Sequence, residues 1–293
     1  MHSPSGSRTI PPKELCLVFA NDERYSSLRS IHAIHQDLSV LSHMTLADWS
    51  NVEKLTLEEV TDSPAPSSLY SKLTYTIFSS ALFRSLHRAR GDWYHAQGRH
   101  MYSPEPPGAA LSTLLIRGYG AISLQDSNNR HAFGEALPIR SEFQSALEIL
   151  HEGRSRPLRR LALINVKMRL SLLRALAYGC SVLQLDNVSD KRSSPDETRP
   201  TTLRTFGEVP RPVKWLWVDE KGLHSYFDIS PPATIEIIRF RAGEQVHHIS
   251  TKLKGDVQRL LDSSRNTLQE FRYQLSWPTH ERDVESELQI ILS

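Results

Sequence analysis

The chain has 293 residues, of which 39% are hydrophobic and 23% are charged, and it is long enough to bury a core in one large or two small domains. This composition excludes a collagen-like, coiled-coil or wholly disordered chain. The 35 Lys and Arg residues against 33 Asp and Glu residues leave a net charge of +2, which provides no global basic field for nucleic acid.

The two cysteines, Cys16 and Cys180, are too few for a disulfide framework or a cysteine-based zinc site. Both lie among apolar residues and are expected to be core thiols in a reducing compartment. The first residues, Met1 to Arg8, are polar and lack the apolar stretch of a secretory signal. The most apolar window, Leu158 to Leu185, contains five basic residues, so we expect a soluble intracellular protein without a membrane span.

The first part of the chain predicts a short tail and then a helical body. Residues 1–12 are predicted as a disordered tail, and residues 13–185 as a mainly helical domain. The apolar run from Leu15 to Phe19 suits a short strand. After Asp22, which suits an N-cap, apolar residues recur at helical spacing up to Leu41.

Four further helices are predicted in this domain. One runs from Leu69 to about Arg90, and a short apolar one from Ala109 to Ile116. Ser141 begins another, because Gln144 follows it at the capping-box spacing. The last and longest is predicted from Pro157 to near Gly179, since proline suits the first turn of a helix and glycine its end.

The rest of the chain changes in pattern. Residues 186–212 are rich in Ser, Thr, Pro and charges, and predict a linker or an exposed loop. Alternating apolar residues over 213–229 and again over 234–251 each predict a β-hairpin. Apolar residues from Leu253 to Leu275 recur at helical spacing and predict a closing helix.

The predicted fold class is therefore α+β. A mainly helical N-terminal body precedes a small antiparallel β-meander with a C-terminal helix, which together occupy residues 213–276. Residues 277–293 are predicted as a tail. No internal repeat is visible in the sequence.

No motif for catalysis or metal binding stands out. The best metal candidates are His32 with His35 and His95 with His100, but these pairs lie in unrelated elements and zinc requires three or four ligands. The sequence contains no nucleophile elbow, no P-loop and no complete dinucleotide loop. We therefore predict that the protein is not an enzyme and that it has no cofactor, metal or small-molecule substrate.

A basic stripe is predicted on the long helix. Arg156, Arg160, Lys167 and Arg174 fall within about 40° of one another around a helix axis. The stripe is either a solvated edge or a contact for RNA phosphates or an acidic protein surface. The net charge of +2 argues against RNA as the main partner.

Two tryptophans lie two residues apart in a predicted strand. Trp215 and Trp217 must therefore point to the same side of it. They are interpreted as core residues that pack against the closing helix, with a recognition platform as the alternative.

Two windows of the sequence resemble the P0-type silencing suppressors of poleroviruses and enamoviruses, which are plant viruses. The first begins with Leu69-Tyr70-Ser71-Lys72-Leu73 and ends with Arg117-Gly118-Tyr119-Gly120-Ala121-Ile122. The second runs from Glu142 through Arg154-Ser155-Arg156-Pro157-Leu158 to Ala177. Together the windows cover roughly a third of the chain.

The resemblance implies a viral suppressor of host RNA silencing that acts as an adaptor in the host cytoplasm or nucleus. Such proteins carry an F-box-like segment that engages the SKP-type adaptor of a host ubiquitin ligase, and they promote the degradation of Argonaute. The matching segment here contains Pro107, Leu111, Leu114 and Leu115, but it lacks the leucine before the proline. These leucines either enter a groove on the partner or pack in the protein's own core. The alternative function is an RNA-binding viral suppressor or structural protein that uses the basic stripe.

Overall fold

Nine strands form a single sheet in the described part of the chain. The computed structural model describes residues 29–33, 41–58, 60–61, 69–98, 104–118, 136–191, 211–229, 233–242 and 251–275. The strands are β1 Ser30–Ala33, β2 Lys54–Leu57, β3 Thr113–Arg117, β4 Leu137–Pro138, β5 Arg160–Arg169, β6 Val182–Lys191, β7 Val213–Asp219, β8 Ala233–Ala242 and β9 Glu270–Leu275. All of these strands pair in parallel. Eight follow one another across the sheet in chain order, and β4 pairs with the end of β5.

The helices form a second layer on one face of this sheet. The described helices are α1 Leu46–Asn51, α2 Leu69–Gln97, α3 Ser141–Gly153, α4 Leu170–Ala177, α5 Glu220–Ile229 and α6 Thr251–Ser264. Each helix contacts the next one along the chain. Because strands and helices both follow chain order, the chain winds in one direction throughout, whereas a doubly wound sheet would carry helices on both faces.

The strands share a repeated pattern of buried apolar residues. In two successive units the pattern is Leu158-x-x-Leu161-x-Leu163 and Cys180-x-x-Leu183-x-Leu185, and all six side chains are fully buried. The first strand position of this pattern recurs at Leu55, Leu114, Leu161, Leu183, Leu216 and Ile238. This spacing is the one that leucine-rich repeats use. The described fold is therefore an α/β solenoid of stacked strand–helix units, whose unequal lengths are consistent with a sequence in which no repeat is visible.

The turn within β5 is repeated at the equivalent point of β6. Asn165 and Asn187 occupy matching positions and both have a left-handed backbone, with φ of 55° and 48°. Asparagine tolerates this conformation better than other non-glycine residues. Asn187 Nδ2 donates a hydrogen bond of 2.6 Å to Asn165 Oδ1. This hydrogen bond between the two side-chain amides therefore links two neighbouring strand–helix units.

The start of α5 is fixed against the sheet in two ways. Asp219, the last residue of β7, accepts a 2.7 Å hydrogen bond from the backbone N–H of Gly222, which satisfies one of the unpaired donors of the first turn. A Cβ at Gly222 would lie 1.8 Å from the carbonyl oxygen of Leu185. Only glycine allows α5 to approach β6 so closely.

The predicted α+β fold class is wrong, because the sheet is entirely parallel and helices alternate with strands. The predicted helix from Pro157 to Gly179 is strand β5 followed by helix α4. A continuous apolar run fits either a buried strand or a buried helix, so its periodicity does not distinguish them. The predicted short helix from Ala109 to Ile116 is also wrong, since β3 begins at Thr113.

The predicted β-meander is wrong in its pairing but correct in two of its strands. Residues 213–219 form β7 as predicted, whereas residues 223–229 belong to helix α5. Residues 234–240 lie within β8, and its predicted hairpin partner at 245–250 lies outside the described residues. The closing helix ends as α6 at Ser264, and β9 follows it.

Two of the predicted helices are confirmed. Helix α2 begins at Leu69 and extends to Gln97, past the predicted stop, and α3 begins at Ser141. No side chain caps the start of α3, however, so the predicted capping box is not formed. In the segment after Asp22, Ile31 lies in β1 rather than in a helix.

The remaining predictions concern the ends of the chain and the domain boundaries. The tail at 1–12, the strand at 15–19 and the tail at 277–293 lie outside the described residues. Strand β6 crosses the boundary predicted between 185 and 186, and the sheet continues without a break on either side of it.

Candidate functional site

The sheet has one face that no described helix covers, here termed the open face. Side chains alternate along each strand, so that Leu161 and Leu163 face the helices while Arg160 and Ile164 point to the other side. The same alternation in β7 buries Leu216 and leaves its two tryptophans on the open face. Because neighbouring strands are in register, the side chains of this face form rows across the sheet.

Three rows of side chains with different chemistry cross the open face between β6 and β9. The apolar row consists of Val182, Trp215 and Ile237, which are in register. The cationic row consists of Trp217, Arg239 and Arg272, which are in register on β7, β8 and β9. The carboxylate row contains Asp186 and Asp219, with Arg241 in register with Asp219.

The centre of the open face is a group of aromatic and cationic side chains. Its members, termed the tryptophan–arginine platform, are Arg160, Trp215, Trp217 and Arg239. The guanidinium carbon of Arg239 lies 4.8 Å from the centre of the Trp217 ring, and that of Arg160 lies 5.4 Å from it. Both distances fall within the range of an attractive cation–π interaction. Trp215 is 43% exposed, which is unusual for an indole.

The platform has polar groups that the rest of the described chain does not satisfy. Neither Arg160 nor Arg239 forms an ion pair with a carboxylate among the described residues. Trp217 Nε1 and Arg160 Nε are buried and have no hydrogen-bond partner there. A buried donor without an acceptor is unfavourable by about 1–3 kcal/mol, so a ligand that supplied an acceptor would gain this energy.

The carboxylate row is electrostatically unusual: Asp186 is buried and Asp219 is partly exposed. Asp186 Oδ2 accepts a 2.7 Å hydrogen bond from Gln184 Nε2 and lies 3.5 Å from Arg241. Burial raises the pKa of Asp186 above its ordinary value, although the Arg241 charge opposes the rise. Burial also raises the pKa of Asp219 to about 6, and the neighbouring Asp186 charge contributes to the rise. Hydrogen bonds from the backbone N–H groups of Gly222 and Asn187 act in the opposite direction.

The first strands of the sheet present a different open face. Glu58, which follows β2, lies 2.9 Å from Arg117 and 3.2 Å from His32. Its carboxylate therefore pairs with the Arg117 cation, and Thr56 beside it is buried. No aromatic side chain stands on the described part of this half of the face.

The four residues of the predicted basic stripe do not form a stripe. Arg160 belongs to the platform on β5, and Lys167 lies further along the same strand, beyond the Asn165 turn. Arg174 lies on α4 in the helix layer, where its guanidinium donates to the carbonyl oxygen of Asp228. Arg156 is exposed in the segment before β5. The prediction failed because it assumed a single helix.

The leucines of the F-box-like segment are divided between the core and the sheet surface. Pro107 is buried in a turn, and Leu111 and Leu114 are 4% and 0% exposed. Leu115 is partly exposed and points to the open face of β3. Of the two interpretations left open by the sequence, packing in the protein's own core describes Leu111 and Leu114.

The two tryptophans occupy the open face and not the core, so the interpretation that both pack against the closing helix is wrong. Sequence reasoning placed them on one side of a strand but missed Arg239. The sequence did contain a signal that Arg239 faces away from the core, because Arg239 and Arg241 alternate with the buried Ile238 and Phe240 on β8. The register between β7 and β8, which the sequence does not show, was needed to place Arg239 beside Trp217.

The other candidate residues that the structure describes form no further site. Cys180 is buried, as predicted for a core thiol, and burial raises its pKa to about 12. Cys16, His35 and His100 lie outside the described residues. The described part of the chain holds no cluster of three or more His, Cys, Asp or Glu side chains suited to a metal ion.

The chain matches no protein-family model, no curated protein and no solved structure. Among the described helices, none combines the length and the apolar character needed to cross a membrane.

Proposed function

We propose that this chain is a protein-recognition module that binds a segment of a partner protein on the open face of its sheet. The observation that carries the proposal is the tryptophan–arginine platform. Tryptophan and arginine are the residues most enriched at the energetic centres of protein interfaces. Solenoids of stacked repeats present extended surfaces for binding, and here one of the two most exposed large aromatic side chains of the described chain, Trp215, lies on the open face.

A protein partner fits the open face better than RNA does. Binding to RNA depends on many cations that contact successive phosphates. On this face Glu58, the buried Asp186 and the partly exposed Asp219 lie along the same sheet as the arginines. A continuous phosphate backbone would pass these carboxylates, whereas a short protein segment can be confined to the platform.

The P0-type adaptor function stays a prediction. A protein-recognition module is compatible with an adaptor in general, but the F-box-like segment does not support direct SKP binding in the folded chain. Leu111 and Leu114 would have to leave the core to reach a partner, and emptying two buried leucine sites is strongly unfavourable. The viral origin, Argonaute and the host compartment likewise stay predictions.

The proposal is tested by selecting displayed random peptides on the full chain. We expect selected peptides to bind the wild-type chain and to bind the Trp215→Ala variant at least about tenfold more weakly. Tyr94→Ala is the matched control, because Tyr94 is 53% exposed but lies on α2 in the helix layer. Failure to select any peptide, or equal binding by the wild type and Trp215→Ala, would overturn the proposal.

A further inference from the structure

The chemistry of the platform indicates which kind of segment it binds. Its buried donors without a partner are Trp217 Nε1 and Arg160 Nε, and both belong to side chains that contact each other through the indole ring. Two N–H donors match the two oxygens of a single carboxylate, which accepts hydrogen bonds but donates none. Charge-assisted hydrogen bonds of this type are about twice as strong as neutral ones.

The apolar row lies directly beside these donors. Trp215 and Trp217 are two residues apart on β7, so their side chains are separated by about 7 Å along the strand. Val182 and Ile237 flank Trp215 and are partly exposed. An apolar side chain of the ligand can therefore pack on Trp215 while a carboxylate one or two residues away reaches Trp217.

A carboxylate fits this position better than a phosphate. Asp186 and Asp219 lie in the next row of the same face, on the same strands that carry Gln184 and Trp217. Their negative charge penalises a dianionic phosphate more than a singly charged carboxylate. The unpaired donors also suffice for one carboxylate, whereas a phosphate presents three strong acceptor oxygens.

We infer that the platform binds an acidic protein segment, in which an Asp or Glu side chain within two residues of an apolar residue accepts hydrogen bonds from Trp217 Nε1 and the Arg160 guanidinium. The apolar residue of the segment packs on Trp215. Arg239 is exposed at its position over the indole ring, so its guanidinium can move aside to admit the carboxylate and then pair with it. This inference rests on the proposed function.

The peptides from the display selection test the inference, with affinities measured by fluorescence anisotropy on the full chain. We expect most of them to contain Asp or Glu within two residues of an apolar residue. Replacing that acid by its amide should weaken binding to the wild type by about tenfold. On the Trp217→Phe and Arg160→Gln variants the same replacement should have a smaller effect than on the wild type, because each variant lacks one of the two N–H donors assigned to the carboxylate.

Trp217→Phe keeps an aromatic ring for the two guanidinium groups but removes the N–H donor together with the five-membered ring of the indole, and we expect the chain to stay folded. Arg84→Gln is the charge-matched control, since Arg84 is exposed on α2, far along the chain from the platform strands. We expect Arg84→Gln to retain the full effect of the amide replacement. Circular dichroism of each variant checks that the chain is folded.

The outcomes separate the inference from the proposed function. If no peptide is selected, the proposed function fails. If peptides bind through Trp215 but the amide replacement has no effect, the proposed function stands and the carboxylate inference is overturned. If single-stranded RNA displaces the peptides with a steep dependence on salt, the face binds phosphates and the inference is again overturned.

Discussion

The two halves of the open face differ in how their charges are balanced. On the half formed by β1, β2 and β3, Glu58 lies within ion-pair distance of both Arg117 and His32. On the half formed by β5 to β9, Arg160 and Arg239 contact the Trp217 ring and pair with no described carboxylate. The scaffold is the same in both halves. A sheet of one design can therefore carry an arginine that pairs with a carboxylate on one half and arginines that pair with none on the other, and the second half is where an acidic ligand gains most.

The largest expected effect is on the free energy of unfolding, and it comes from the ionisation of the carboxylate row. The pKa of Asp219 is raised to about 6 in the folded chain from an ordinary 3.8, so the folded state holds this proton more tightly than the unfolded state. The stabilising contribution of the protonated form is complete below about pH 4 and is lost as the pH rises to about 6. The free energy of unfolding should fall over this range by at most about 3 kcal/mol from this group.

Chemical denaturation at a series of pH values measures this effect. Asp219→Asn should remove this part of the pH dependence, leaving a contribution of the same sign from Asp186. Asp228→Asn, which changes an exposed carboxylate at the end of α5, should leave the pH profile as in the wild type. A wild-type stability that rises between pH 4 and 6 relative to Asp219→Asn would contradict the assignment.

The second-largest effect is expected when a carboxylate is added to the platform, so that this half of the open face resembles the half formed by β1, β2 and β3. Ile237 lies in register with Trp215 and two residues before Arg239 on the open face. Ile237→Glu would place a carboxylate beside the unpaired arginines and repel an acidic ligand. We expect the affinity for the selected peptides to fall by about 30-fold, or about 2 kcal/mol.

Ile237→Gln is the matched control, because it removes the same apolar contact without adding a charge. Anisotropy titrations at low and high salt compare the two variants. The difference between them should shrink at high salt, since screening weakens the repulsion. Equal losses for the glutamate and glutamine variants at low salt would show that charge does not distinguish the two halves.

The smallest effect is expected on the half of the open face formed by β1, β2 and β3. Glu58→Gln removes the carboxylate shared by Arg117 and His32, but these side chains are 24–35% exposed. Partly exposed ion pairs contribute little, so the free energy of unfolding should fall by about 1 kcal/mol or less. Binding of the selected peptides should not change. A loss of peptide binding in this variant would mean that the ligand extends across both halves.

The sequence correctly predicted those elements in which the spacing of apolar residues fits only a helix or only a strand. Helices α2 and α3 and strands β7 and β8 belong to this group. Helix α5 was misread as a strand, although Leu223, Tyr226 and Ile229 are buried at a spacing of three. That misreading turned a parallel β7–α5–β8 unit into an antiparallel hairpin, because parallel strands need a crossover connection, which is usually a helix, and the prediction left no residues for one.

The candidate site and the repeat were harder to predict, for different physical reasons. The platform joins residues of β5, β7 and β8, and their proximity depends on strand register. The repeat was hidden because its units differ in length. Its first strand position recurs at residues 55, 114, 161, 183, 216 and 238. Intervals this unequal give no fixed period to detect.

The sequential order of the strands also determines how the molecule would respond to mechanical force. Across the described sheet the strands from β1 to β9 pair in chain order, except that β4 pairs with β5 beside β3. Stability in such an array is a sum over adjacent interfaces. A pull along the sheet would therefore peel units from an edge one after another. Because β9 and β8 form one such edge of the described sheet, Arg239 would separate from Trp217 before the pairing of β5 with β6 is broken.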